Sequence, residues 1–279
     1  MIARPRRSQG SWYHPELDGL RAVAVIGVLV YHANPDWLPG GWLGVDVFLA
    51  ISGFVITRMI LREIDDGTFR IGAFYLRRAW RLLPALLAVL LASLVLAWAL
   101  FWPWQIRDTG ETALAALFFS ANIYLHFEID YFRDLDDMVL LGHTWSLGVE
   151  EQFYILFPWL VLLVRPGRIS LARRRWILSL ALAGIGALSL AWTIRDATGA
   201  PGDVFYLPQY RIWEITAGCL LAAAPLRPGS IPDSAWRLCA IAGLFLVFLG
   251  FFAADPALEA AHPAWRGMAV LGALLVIAG

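Results

Sequence analysis

Nine apolar stretches follow one another along this chain, at 17–34, 42–61, 82–103, 111–127, 143–164, 176–194, 209–224, 237–254 and 265–279. Crossing the ~30 Å hydrocarbon core of a bilayer takes about 20 helical residues, and these stretches are close to that length. The polar segments between them are short, so no independent soluble domain fits. The composition agrees: 59% hydrophobic and 16% charged, against about 45–50% apolar and about 25% charged in soluble domains. The expected fold is all-α, a single polytopic transmembrane bundle spanning 1–279 with the lipid bilayer as its solvent. The last stretch ends while still apolar, so the domain is expected to be incomplete at its C-terminus.

Arginine in short loops marks the cytoplasmic side. That rule places the N-terminus inside, with Arg4, Arg6 and Arg7, and likewise the loop carrying Arg58, Arg62, Arg70, Arg77, Arg78 and Arg81. Arg165, Arg168 and Arg173 to Arg175 fall inside too, while the acidic loop around Asp134, Asp136 and Asp137, with its single Arg133, falls outside. These assignments conflict by one crossing, which a re-entrant or tilted segment at 111–127 would resolve. A cleavable signal is the competing reading of the N-terminus. Tyr31 at the −3 position of a cut after Ala33, and the charges Asp18 and Arg21, favour an uncleaved first span.

Several chemistries drop out at once. The 22 basic and 22 acidic residues cancel, which argues against a strongly basic nucleic-acid binder. All the basic residues are arginines, so neither a Schiff-base lysine nor a P-loop lysine is present. Cys219 and Cys239 sit in apolar runs and read as small buried residues, and no metal-ligand spacing stands out.

What remains is the set of ionisable groups inside the spans, where charge is costly and usually faces a cavity or a partner. Arg21 and His32 are eleven residues apart, three turns and ~16 Å on one helix face. Snorkelling of Arg21 and a groove lined by both are open readings. In the second stretch Asp46, Ala50, Gly53 and Thr57 share a face: the small residues suit close packing, and Asp46 suits a hydrogen bond to another helix. His143, Ser146, Glu150 and Tyr154 share a third face, with Glu151 turned away. Thr144-Trp-Ser-Leu-Gly148 falls short of a nucleophile elbow, because Thr144 replaces the first glycine and no strand precedes it. Arg211, Glu214 and Gly218 share a fourth face, on which the ion pair either neutralises itself or lines a ligand site. Arg77, Arg78 and Arg81 cluster before Pro84, expected in the first turn of the third span. They serve as a topology anchor or as a clamp for a phosphorylated cofactor.

Five motifs in order resemble the acyltransferase-3 family of integral membrane O-acyltransferases. They are Glu16-Leu-Asp-Gly-Leu-Arg21 followed by ten residues and His32; Gly41-Trp-Leu-Gly-Val-Asp46-Val-Phe; Ile51-Ser-Gly-Phe54; Phe74-Tyr-Leu-Arg-Arg-Ala-Trp-Arg81; and His143-Thr-Trp-Ser-Leu-Gly-Val-Glu-Glu-Gln-Phe-Tyr154. The resemblance implies acyl transfer, usually acetyl transfer, from acyl-CoA to hydroxyls of extracytoplasmic glycans or small metabolites, in a bacterial inner membrane. It makes Arg21 and His32 the essential pair and Arg78 and Arg81 the basic pair of the cytoplasmic loop. Two departures stand out: Gly148 where many members have serine, and nine stretches where the family usually has ten.

On that reading, Arg21, Arg77, Arg78 and Arg81 bind the cofactor, and no metal is needed. His32 is general base or acyl carrier, with Glu150 as its orienting or proton-accepting partner. Asp46, His143, Ser146, Arg211 and Glu214 line the acceptor side. The alternative is a non-enzymatic transporter or flippase of a glycan or lipid-linked substrate, using His32 and Glu150 as a proton relay.

Overall fold

The computed structural model describes residues 15–132, 140–164, 170–198, 201–224, 232–254 and 263–279. The charges named above at Arg4, Arg6, Arg7, Arg133, Asp134, Asp136, Asp137, Arg165 and Arg168 lie outside these residues. Among the described residues the helices run α1 (Pro15–Ala33), α2 (Gly44–Asp65), α3 (Ile71–Leu100), α4 (Pro103–Leu117), α5 (Ala121–Phe132) and α6 (Trp145–Leu163). They continue as α7 (Leu171–Asp196), α8 (Pro201–Tyr206), α9 (Ile212–Ala223), α10 (Asp233–Ala253) and α11 (Pro263–Ala278). Five regions, centred on α2, α3, α6, α7 and α10, are long and apolar enough to cross a membrane, and α9 and α11 are shorter apolar helices. The fold is an all-α polytopic membrane bundle.

The tightest helix crossing joins α2 to α9, and small residues make it possible. A methyl group built on Gly53 would run into the carbonyl oxygen of Ile215, and one on Gly218 into that of Ala50. The two backbones therefore touch without side chains between them, the arrangement small residues permit in membranes. Gly53→Val is expected to cost more than about 3 kcal/mol, beyond the usual ~1–3 kcal/mol of overpacking, because backbone atoms cannot rotate aside. Thermal unfolding of the detergent-purified variant checks this; an unchanged midpoint would contradict the contact.

Two expectations are corrected. Pro84 is not in a first turn, because α3 begins at Ile71 and runs for 30 residues; Arg77, Arg78 and Arg81 are therefore held on an already formed helix. The stretch 111–127 is not one span but parts of α4 and α5, broken at 118–120. Pro103 opens α4, and the Gln105 side chain accepts from the Trp102 N–H at 3.1 Å. The helix ends in a Schellman arrangement: Phe119 N–H donates to Ala116 O at 3.1 Å and Ser120 N–H to Ala115 O at 2.8 Å. Glycine is usual at the left-handed position of such an ending, yet Phe119 holds it at φ 55°, a conformation that costs an L-residue roughly 1–2 kcal/mol.

The surroundings of that tip explain its persistence. Gln152 of α6 donates to Phe119 O at 2.8 Å and to Asn122 Oδ1 at 2.9 Å, and Asn122 donates to Tyr206 O at 3.2 Å. Gly148 leaves the room: a Cβ there would lie 2.6 Å from Asn122 Oδ1 and 3.2 Å from Phe119 O. The α4–α5 pair thus enters from the end of the bundle where α3 finishes, reaches seven residues into α6, and turns back. The two helices form a hairpin whose tip is held by α6.

Paired charges define the opposite end. Arg77 binds Glu63 at 2.7 Å, and Arg174 and Arg175 both bind Asp65, the latter at 3.2 Å. The last turn of α2, the first turns of α3 and the start of α7 therefore share one arginine-rich end.

Candidate active site

At mid-height, α2, α3 and α6 converge on one carboxylate. Glu150 Oε1 accepts from Ser52 Oγ at 2.6 Å and from Tyr154 OH, one turn further along α6, at 2.7 Å. Arg78 Nη2 stands 3.7 Å from the same oxygen. The main bond of Arg78 is to buried Glu151, whose two oxygens accept from its Nε at 2.8 and 3.0 Å. Its guanidinium carbon sits 3.6 Å from the centre of the Tyr154 ring, a close cation–π contact. Charge-assisted bonds of this kind fix side chains firmly. Arg78 thus turns into the bundle, whereas Arg77 is on the surface with Glu63.

Two cavities flank this centre along the same pair of helices. The one toward the arginine-rich end, about 440 Å³, is lined by Arg21, Arg58, Arg62 and Arg81 together with Asp18, Glu63 and Asp66. Arg21 also binds Asp18 at 3.3 Å. The other cavity, about 380 Å³, has His143, Ser146 and Glu150 on its α6 side and apolar residues of α2 and α3 opposite. Ser52 lies on α2 between Leu49, which lines the second cavity, and Val55, which lines the first. Arg81 and Leu82 make the same junction on α3.

His32 ends α1, exposed, with Nδ1 2.8 Å from Val28 O. A carbonyl only accepts, so Nδ1 carries the proton, and the neutral ring presents Nε2 as its basic nitrogen. His143 is within electrostatic reach of His32. Arg21 and His32 therefore occupy different places: the arginine lines the cavity at one end, and the imidazole is exposed in the last turn of α1. Ser146 Oγ spends its proton on His143 O at 3.3 Å.

Asp46, Arg211 and Glu214 are brought together elsewhere, in a buried quartet completed by Arg266 of α11. Arg211 Nη1 reaches Asp46 Oδ1 at 2.9 Å and Glu214 Oε1 at 3.3 Å. Arg266 Nε reaches the same two oxygens at 3.2 and 2.9 Å, and its Nη2 bonds Glu214 and the Tyr210 carbonyl. All four side chains are 1% exposed or less. Two positive and two negative charges cancel, which is how a bilayer-spanning bundle tolerates them. The sequence reading missed Arg266. Its place at the start of an apolar stretch imitates an interfacial residue, and an arginine before 13 uncharged residues was the available signal.

Residues 14–279 match the profile of the family described as Acyltransferase domain. The chain belongs to the acyltransferase-3 family. It is similar to the O-acetyltransferase OatA of Staphylococcus aureus strain NCTC 8325, with 39% identity over 212 residues, 75% of this chain and 34% of the relative. A provisionally named O-acetyltransferase of strain MSSA476 shares 38% identity over 214 residues, again 75% of this chain and 34% of the relative. The chain thus spans about a third of the length of these curated relatives. No solved structure matches.

The acyltransferase-3 motifs occupy distinct places in this fold. The Ile51-Ser-Gly-Phe54 motif supplies Ser52 to the central carboxylate and Gly53 to the α9 contact. The basic pair divides, with Arg78 binding Glu151 and Arg81 lining the first cavity. Gly148 admits the hairpin tip, which accounts for a residue smaller than serine in this chain.

Proposed function

We propose that this chain transfers an acyl group, acetyl in the first instance, from cytoplasmic acyl-CoA to a hydroxyl of an extracytoplasmic glycan or similar acceptor. The observation that carries the reading is the succession of two cavities along α2 and α3, with Glu150 lining the second and bonded to Ser52, which lies on α2 between Leu49 of the one and Val55 of the other. One cavity offers guanidiniums suited to phosphate oxygens; the other offers His143, Ser146 and Glu150 beside His32. With the arginine-rich end in the cytoplasm of a bacterium and the chain in its inner membrane, a thioester arm extending from the first cavity reaches the second. The donor then delivers its acyl group without moving its own charges through hydrocarbon.

His32 Nε2 accepts the proton of the acceptor hydroxyl, whose oxygen forms a bond to the thioester carbonyl carbon. The carbon–sulfur bond breaks, and the CoA thiolate leaves and takes up that proton. Glu150, held by Ser52 and Tyr154, places a fixed negative charge beside the path of the arm. Arg21 and Arg81 hold the cofactor's phosphates, while Arg77 and Arg78 contribute field rather than contact. Asp46, Arg211 and Glu214 shape the acceptor side through the packing of α2 against α9. The O-acetyltransferase name of the relatives is consistent with this chemistry.

The test is radiolabelled acetyl-CoA given to membranes that contain this chain, beside membranes without it. Label released by mild alkali from an extractable acceptor is the expected result. Label that remains in acetyl-CoA, with the protein present and folded, would overturn the reading.

A further inference from the structure

The second cavity is larger and more apolar than an acetyl group requires. An acetyl methyl displaces about one water, ~30 Å³ of liquid volume, whereas the cavity holds about 380 Å³, within the ~300–1,000 Å³ typical of ligand sites. Its polar groups are confined to the α6 side. Facing them are Val45 and Phe48 of α2 and Leu82, Ala85, Leu86 and Val89 of α3. Ala85 and Val89 line the cavity and are also exposed, so the space opens sideways past α3.

We propose that this cavity holds the hydrocarbon chain of the donor, and that the chain accepts acyl-CoAs longer than acetyl-CoA. The inference rests on the acyltransfer reading above and names its donor class. Three observations select the donor as occupant. The cavity follows the arginine-lined one along α2 and α3, with Leu49 and Leu82 lining the one and Val55 and Arg81 the other, so a thioester arm from the phosphates passes Ser52 to reach it. The carbonyl of that thioester then meets the α6 wall, beside Glu150 and His143. Carbons beyond the carbonyl have only the apolar α2–α3 wall to occupy, and the sideways opening accommodates their end.

Each methylene removed from water into such a site strengthens binding by roughly fourfold. The kcat/KM for His32-dependent transfer is therefore expected to climb from acetyl-CoA through butanoyl-CoA to hexanoyl-CoA, with a hexanoyl-to-acetyl ratio of at least about fiftyfold. Ala85→Phe, which fills the cavity from its exposed wall, is expected to bring that ratio down toward one. Acetyl-CoA as the best donor, with each added methylene lowering kcat/KM, would overturn the proposal while leaving acyl transfer intact; the cavity would then belong to an apolar part of the acceptor. An Ala85→Phe ratio equal to that of the native chain would overturn it as well. Absence of transfer from every thioester would remove both this proposal and the function on which it rests.

Discussion

Membranes carrying His32→Ala are expected to lose acyl transfer by about 10²–10⁴-fold, the range of general acid–base contributions, while the protein still inserts. His32 is exposed at the end of α1, where Nδ1 is tied to Val28 O within the same helix. Its removal therefore disturbs no packing between helices, and loss of activity reports chemistry rather than collapse. Quenching the native reaction early separates the two roles open to the imidazole. An acid-quenched protein carrying label at His32 identifies an acyl carrier; label passing to the acceptor with none on protein identifies a base. Transfer by His32→Ala within twofold of native would exclude both.

Arg266→Met is expected to destabilise the protein by about 3–5 kcal/mol, the usual cost of breaking a buried pair from one side. Arg266 bonds Asp46, Glu214 and the Tyr210 carbonyl from a side chain with no exposed surface. Without it, Arg211 alone faces two carboxylates, and one negative charge is left uncompensated in an apolar surround. Arg266→Met combined with Glu214→Gln restores neutrality and is expected to recover most of the loss, because the cost lies in the stranded charge. Denaturation of purified protein in detergent, for both single variants and the double, measures the coupling. A single variant within about 0.5 kcal/mol of native would show that the quartet is not an electrostatic unit.

Spacing along single helices was legible in the sequence, and depth across helices was not. The face shared by Glu150 and Tyr154 is real and ends in a hydrogen bond, because an offset of four places side chains together on any helix. Ala50 and Gly53 could be read as packing residues for the same reason, whereas the contact of Gly218 with Ala50 could not. The direction in which Arg78 turns could not be read: it depends on Glu151, 73 residues away. Arg266, 220 residues from Asp46, escaped notice because hydropathy alone places it at a membrane edge. The break between α4 and α5 could not be read from the hydropathy of 111–127. Its break carries neither glycine nor proline, and Phe119 keeps its strained backbone through Gln152, a residue on another helix.

The quartet also bears on how the chain is expected to assemble in the bilayer. As the ribosome delivers the chain, α2 and α9 bring two carboxylates and one guanidinium, and the second guanidinium arrives only with α11, a helix of 16 residues. An arginine near the centre of an inserting segment is disfavoured by about 2.5–3.5 kcal/mol, less toward its ends. An acid pair waiting in the α2–α9 seam offsets that penalty. Insertion of α11 is thus expected to be easier once α2 has met α9, because Arg266 then finds Asp46 and Glu214 already side by side.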